Sequence, residues 1–258
     1  MNRSLLSTLF LAFFLLSGCS STSKLKEKGL NATAFEEARK GLRHATLGEP
    51  TKAVEHFSNA AKSPNLSPSQ RAKILNNRGV AHKNAKAYAL AEADFTQALS
   101  LSEEGAARAR HNRGIVRFIQ GDYLGAARDL EKFLAAGKLP SPYPYLWLYI
   151  ALERGGEEGK KLLSQERERL SQMAWPGVLA DYLLTHKGEE DLLGASEVVD
   201  IEQSQENRCD LYFFLGEAAL IAGNQLEAIS WLNRAINTKM THLNEFKAAE
   251  AELSRLAQ

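Results

Sequence analysis

Few side chains in this 258-residue chain are arranged for chemistry. The stretch LLSGCSS, residues 15–21, ends an apolar run on Ser-Gly-Cys, and Cys19 is one of only two cysteines. A thiol is a strong nucleophile once ionised, so a cysteine between small residues at the end of an apolar run is the first candidate for covalent modification. Ser21-Thr22-Ser23-Lys24 has the SxxK spacing of serine hydrolases, but that chemistry needs a rigid helix in a pocket, and these residues follow Cys19 in a polar stretch. Gly155-Gly156-Glu157-Glu158-Gly159 follows a helix-like segment and reads as a turn rather than a phosphate loop. HExxH, GxSxG, P-loop and paired CxxC patterns are all absent. The six histidines (44, 56, 82, 111, 186 and 242) are scattered, and Cys209 reads as a small core residue. The chain is therefore expected to be no enzyme and to need no metal or cofactor.

The surroundings of Cys19 say more. Arg3 supplies a short positive start, and residues 5–16 form a mostly apolar stretch of twelve. A membrane-spanning helix needs about 20 apolar residues, so this stretch has the length of a signal-peptide core instead. Leu16-Ser17-Gly18-Cys19 resembles the lipobox of bacterial lipoproteins. The resemblance implies cleavage before Cys19, an S-diacylglycerol on its sulfur and an N-acyl group such as palmitate on the new amino terminus. Ser20 after the cysteine, by the same resemblance, implies sorting to the outer membrane, facing the periplasm. Removing residues 1–18 takes away Arg3 and leaves 31 basic residues against 31 acidic. A neutral chain has no field that would draw it to nucleic acid. Residues 21–34, STSKLKEKGLNATA, are polar and aperiodic and read as a flexible tether.

A repeat follows. Gly41, Gly79, Gly114 and Gly216 are each followed twelve residues later by alanine (Ala53, Ala91, Ala126, Ala228). Four residues further on stands a large apolar residue (Phe57, Phe95, Leu130, Leu232), with Trp231 beside the last of them. Three residues beyond come Ala60, Ala98, Phe133 and Ala235, of which Phe133 breaks the small-residue rule. This spacing fits two antiparallel helices of about 13 residues, small residues letting the backbones approach and the large one filling the gap. Gly48, Gly121 and Gly223 end the first helix in three copies. The second copy has Lys86 there, which predicts a different turn. Ser67-Pro68-Ser69-Gln70 predicts a capped helix start. The first intervals, 38 and 35 residues, approach the 34-residue tetratricopeptide period, and the pattern resembles that repeat family.

The middle is less regular. Residues 141–154, SPYPYLWLYIALER, read as one buried helix, 157–172 as an amphipathic helix, 174–193 as two short helices and 242–257 as a terminal capping helix. No alternating apolar run points to a sheet. The expected fold is all-α: tetratricopeptide-type hairpins forming an α-solenoid. Its parts are a signal peptide (1–18), a lipidated tether (19–34), three repeats (35–137), an atypical helical connector (138–205) and a last repeat with its capping helix (206–258).

Lipobox, tandem repeats, the PYLWLY segment, a helix near Trp175 and the late repeat together resemble the NlpI-type tetratricopeptide lipoproteins of Gram-negative bacteria. That resemblance implies a non-catalytic adaptor in the cell envelope that brings a periplasmic protease to peptidoglycan hydrolases, and implies dimerisation. An assembly lipoprotein, pilotin-like or serving an outer-membrane complex, is the alternative. In either reading the partner is a protein or peptide. First helices of stacked hairpins line the inner face. The residues expected there are Lys73, Asn76, Lys83, Asn84, Arg108, His111, Phe118 and Ile119, a mix of cations, amides and apolar groups suited to an extended peptide or acidic segment.

Overall fold

The computed structural model describes residues 32–102, 107–137, 141–171, 175–185, 189–198 and 200–258. Cys19 and most of the tether lie outside the described residues. Among the described residues all regular structure is helical. The helices are α1 (Ala32–Thr46), α2 (Pro50–Ala61), α3 (Pro68–Asn84), α4 (Tyr88–Leu101), α5 (Ala107–Gln120), α6 (Tyr123–Ala135), α7 (Tyr143–Arg154), α8 (Gly159–Ser171), α9 (Gly177–Thr185), α10 (Glu189–Ser196), α11 (Ile201–Ile221), α12 (Gln225–Asn237) and α13 (Asn244–Leu256). The chain divides into two compact units, Met1–Val116 and Arg117–Gln258, with the division inside α5.

In the first unit, α1 pairs with α2 and α3 with α4, and α2 also packs on α3. The repeat spacing explains both hairpins. Ala53, Phe57 and Ala60 are fully buried with Ala38 and Leu42 of α1; Ala91, Phe95 and Ala98 are fully buried with Ala72 and Leu75 of α3. The glycines are needed because the large residue lies against them. A Cβ on Gly41 would stand 2.8 Å from the Phe57 ring, and one on Gly79 would stand 2.6 Å from Phe95. At α3 the predicted start is present: the Ser67 hydroxyl accepts from the Gln70 amide (3.2 Å), and the Ser67 amide donates to Gln70 Oε1 (2.9 Å).

The turn after α3 corrects the sequence reading. Lys86 has φ 59°, in the left-handed region with Gly48 (71°), Gly121 (86°) and Gly223 (80°). All four turns close with the same two hydrogen bonds, one to the carbonyl three residues back and the next to the carbonyl five back. For Lys86 these are Lys86 N to Lys83 O (3.0 Å) and Ala87 N to His82 O (2.9 Å), matching Gly48 to Ala45 and Glu49 to His44. Two hydrogen bonds and the packing of the flanking helices outweigh the Cβ penalty of about 1–2 kcal/mol.

In the second unit, α6 packs on α7, α7 on α8, α8 on α9, and α11, α12 and α13 pack on one another. The connector is centred on α7, where every residue from Pro144 to Ala151 is buried. Trp147 meets Phe118 edge-on at 5.1 Å and lies 5.1 Å from Phe213 and 6.0 Å from Phe214, ring centre to ring centre. The last repeat obeys the same rule as the first two. Ala228, Leu232 and Ala235 are fully buried, and a Cβ on Gly216 would stand 2.7 Å from Leu232.

Candidate partner-binding face of the repeats

The first unit carries the exposed inner-face positions. Lys73, Asn84 and Arg108 are exposed and Asn76 and His111 half-buried. Three of the expected residues do not line a surface. Phe118 is 0 % and Ile119 2 % exposed, and both belong to the core of the second unit. Phe118 is enclosed by Tyr123, Trp147 and Phe213. Lys83 is only 7 % exposed, so most of its stem is packed rather than offered to a ligand.

Burial lowers His111, and the Lys83 charge lowers it further, to about 4. Its imidazole is therefore neutral at ordinary pH and acts as a hydrogen-bonding ring, not a cation. Partial covering of its guanidinium lowers the otherwise exposed Arg108, which stays charged, as guanidinium groups do.

The amides are the face's organised feature. Asn112 Nδ2 donates to Asn76 Oδ1 (3.0 Å), and Asn76 Nδ2 donates to Asn77 Oδ1 (3.4 Å). This ladder joins the first helices of adjacent repeats, and the Asn112 side chain is also hydrogen-bonded to His111. Asn77 and Asn112 were missed in the sequence reading, although a signal exists: Asn-Arg-Gly recurs at 77–79 and 112–114, in register with the repeat glycine.

The arginine of that motif stitches the repeats. Arg78 Nη1 reaches the Ser58 hydroxyl (3.3 Å) and Arg113 Nη1 the Thr96 hydroxyl (3.1 Å), each the residue after the buried Phe57 or Phe95 of the preceding repeat. Arg78 also grips the buried Asp94 with two bonds of 2.8 and 2.6 Å, which raises the guanidinium pKa.

His44 stacks on His56 (5.0 Å, 4°) and meets Glu49 at 2.5 Å, while His56 meets Glu37 at 2.9 Å. His82 stands 3.9 Å from Asp94. Among the described residues no group of three or more His, Cys, Asp or Glu is placed to hold a metal. Cys209 is buried in the core with Leu243 and Phe246. Trp231, beside the repeat position in sequence, stacks on Tyr212 (5.8 Å, 20°), with the Arg234 guanidinium 4.8 Å from its ring centre.

The tetratricopeptide repeat family model matches residues 72–104, which is the α3–α4 hairpin described above. That hairpin matches the tetratricopeptide repeat. A crystal structure of a tetratricopeptide repeat protein from Parabacteroides merdae has the same fold, with a TM-score of 0.54 at 15% identity over 100% of both chains. The chain is 27% identical to the Lipoprotein NlpI homolog of Haemophilus influenzae over 227 residues, covering 74% of this chain and 72% of that one. The similarity to NlpI-type tetratricopeptide lipoproteins thus extends over most of the chain. No helix among the described residues is long and apolar enough to cross a membrane.

Proposed function

We propose that the protein is a cell-envelope lipoprotein whose tetratricopeptide repeats bind other envelope proteins and hold them near one membrane, without catalysing a reaction. The observation that carries the binding role is the amide ladder Asn112–Asn76–Asn77, flanked by exposed Lys73 and Arg108. Amides at repeat spacing can hydrogen-bond the backbone of an extended segment, and the cations favour an acidic one.

Cys19 is the anchor in this reading. Each buried CH₂ of an acyl chain contributes about 0.8 kcal/mol, so an N-acyl and S-diacylglycerol cysteine holds far more firmly than a single chain. The site is the outer membrane, facing the periplasm, as Ser20 favours. Tethering raises the effective concentration of two partners at one surface, which is what an adaptor between a periplasmic protease and peptidoglycan hydrolases needs. The likeness to the Haemophilus influenzae lipoprotein supports the lipoprotein part of this reading.

Crosslinking the full chain in native envelopes tests this. The expected catch is a protease with a wall hydrolase, lost in an Asn76→Ala, Asn112→Ala double variant that keeps its helical circular dichroism. Recovery of a secretin or barrel-assembly complex in their place overturns the role. Cys19→Ser is expected to shift the protein to the soluble fraction.

A further inference from the structure

The last helix, α13, buries charged side chains beside its apolar seam of Phe246, Ala248 and Ala249. Glu245, Lys247 and Glu252 on its inner side are 2, 3 and 1 % exposed. Glu245 Oε1 accepts from Trp147 Nε1 (3.2 Å), and Lys247 Nζ donates to the Thr241 carbonyl (2.5 Å). Glu252 adds two further cross-links to other elements. Its Oε1 accepts from Tyr123 of α6 (2.9 Å) and Arg255 Nη2 (2.5 Å); its Oε2 accepts from Arg154 Nη2 of α7 (3.2 Å) and Arg255 Nε (3.3 Å).

Arg154 is shared. Its Nη1 donates to Glu217 Oε2 of α11 (2.5 Å), while Nη2 also donates to the Tyr123 hydroxyl (2.6 Å). The donors are unevenly divided: four reach Glu252 and one reaches Glu217, whose other oxygen is buried without a hydrogen bond. Glu217 is itself wholly buried. A charged carboxylate left with an unbonded oxygen in such a place is costly, and a neutral carboxyl is the cheaper occupant.

We propose that α13 is a proton-linked clasp, docked while the Glu217 carboxyl is neutral and loosened when that carboxyl ionises beside Glu252. The groups facing Glu217 are Arg154 on α7 and Glu252 and Arg255 on α13, with Tyr123 of α6 bonded to both Arg154 and Glu252. Burial first, and Glu252 second, push Glu217 up to about 8 against the pull of the two arginines. Tyr123 is pushed up to about 12 by burial, so it keeps its proton through this window. A carboxyl raised above its unfolded value contributes stability in full below about 4.5 and loses it as pH rises through about 8. The new charge appears on α11, and the carboxylate it repels is on α13. The separation of α13 from α11 is therefore the motion that relieves the repulsion.

Hydrogen exchange of the full chain in detergent, corrected for the intrinsic rate, reads the docking of α13 directly. Between pH 6.5 and 9 the protection of α13 is expected to fall about thirtyfold, one decade per pH unit up to the midpoint near 8 and little beyond it, while α1–α4 stay unchanged. Glu217→Gln is expected to flatten the response. Constant α13 protection in the wild type, or an unaltered fall in Glu217→Gln, overturns the proposal. Should that variant fail to fold, infrared spectra of the wild type decide: a protonated-carboxyl band at pH 6.5 that disappears by pH 9 supports the clasp, and its absence at pH 6.5 overturns it.

Discussion

A Cβ placed on Gly79 would lie 2.6 Å from Cε1 of Phe95, closer than such contacts occur. The relationship recurs between Gly41 and Phe57 and between Gly216 and Leu232, so the absence of a side chain at the glycine is what lets each hairpin close. Gly79→Ala should overpack the hairpin at a cost of about 1–3 kcal/mol. Improved helix propensity returns about 1 kcal/mol, leaving a net loss of up to about 2 kcal/mol in urea unfolding. Adding Phe95→Leu should recover part of the loss. Gly194, in α10 with open space around it, is the control: Gly194→Ala should be neutral or stabilising. Equal losses at both sites would contradict the packing account.

Lys86 is the one left-handed residue of the four hairpin turns that carries a Cβ. Lys86→Gly removes a steric cost of about 1–2 kcal/mol but adds freedom to the unfolded chain worth about 0.5–1 kcal/mol. The variant should gain about 0.5–1 kcal/mol, seen as a rise of a few degrees in Tm. Gly48→Ala should move Tm the opposite way, because it introduces the strain that Lys86 already bears. A fall in Tm for Lys86→Gly would mean that the lysine side chain contributes more than its backbone costs.

How far the fold was legible follows from what repeats. The glycine, alanine and Phe57/Phe95-type positions recur at fixed spacing, so the hairpins and their buried seams could be read before any coordinates. The Lys86 turn was misjudged because hydrogen bonds made by neighbouring helices override a single residue's preference. Phe118 and Ile119 were placed on the inner face because the repeat frame assigns them there; only the packing of α7 against α5 and α6 reveals that Trp147 covers Phe118. The Arg154–Glu217–Glu252 cluster joins residues up to 98 positions apart and has no local signature. The Asn-Arg-Gly motif was legible, but its two roles, amide ladder and inter-repeat bond, are separable only in three dimensions.

Arg78 should be the most sensitive charged residue of the first unit. Asp94 is 5 % exposed and takes two hydrogen bonds from it, with His82 no nearer than 3.9 Å. Arg78→Ala leaves a buried carboxylate uncompensated, at a cost of about 3 kcal/mol. Asp94→Asn on that background should restore much of the stability, since a neutral amide costs less to bury. A double-mutant cycle in urea measures the coupling. Strict additivity of the two changes would show that the pair is not energetically joined.

Glu37 makes the first hairpin sensitive to acid. The bond from His56 first, and that from Lys40 second, hold its carboxyl down to about 2. A carboxyl depressed below its unfolded value contributes stability that is present above about 4.5 and is lost as pH falls through about 2. The wild type should therefore lose Tm between pH 5 and pH 2 more steeply than Glu37→Gln, and the two curves should converge at the acid end. The effect depends on His56 as well as Glu37, because the α2 ring supplies the largest single cause of the depression. His56→Phe should keep the ring's bulk against His44, remove the hydrogen bond and flatten the acid limb in the same direction as Glu37→Gln. An acid limb unchanged in both variants would place the sensitivity elsewhere, in groups such as Glu36 and Glu49, whose carboxyls are also lowered by cationic neighbours.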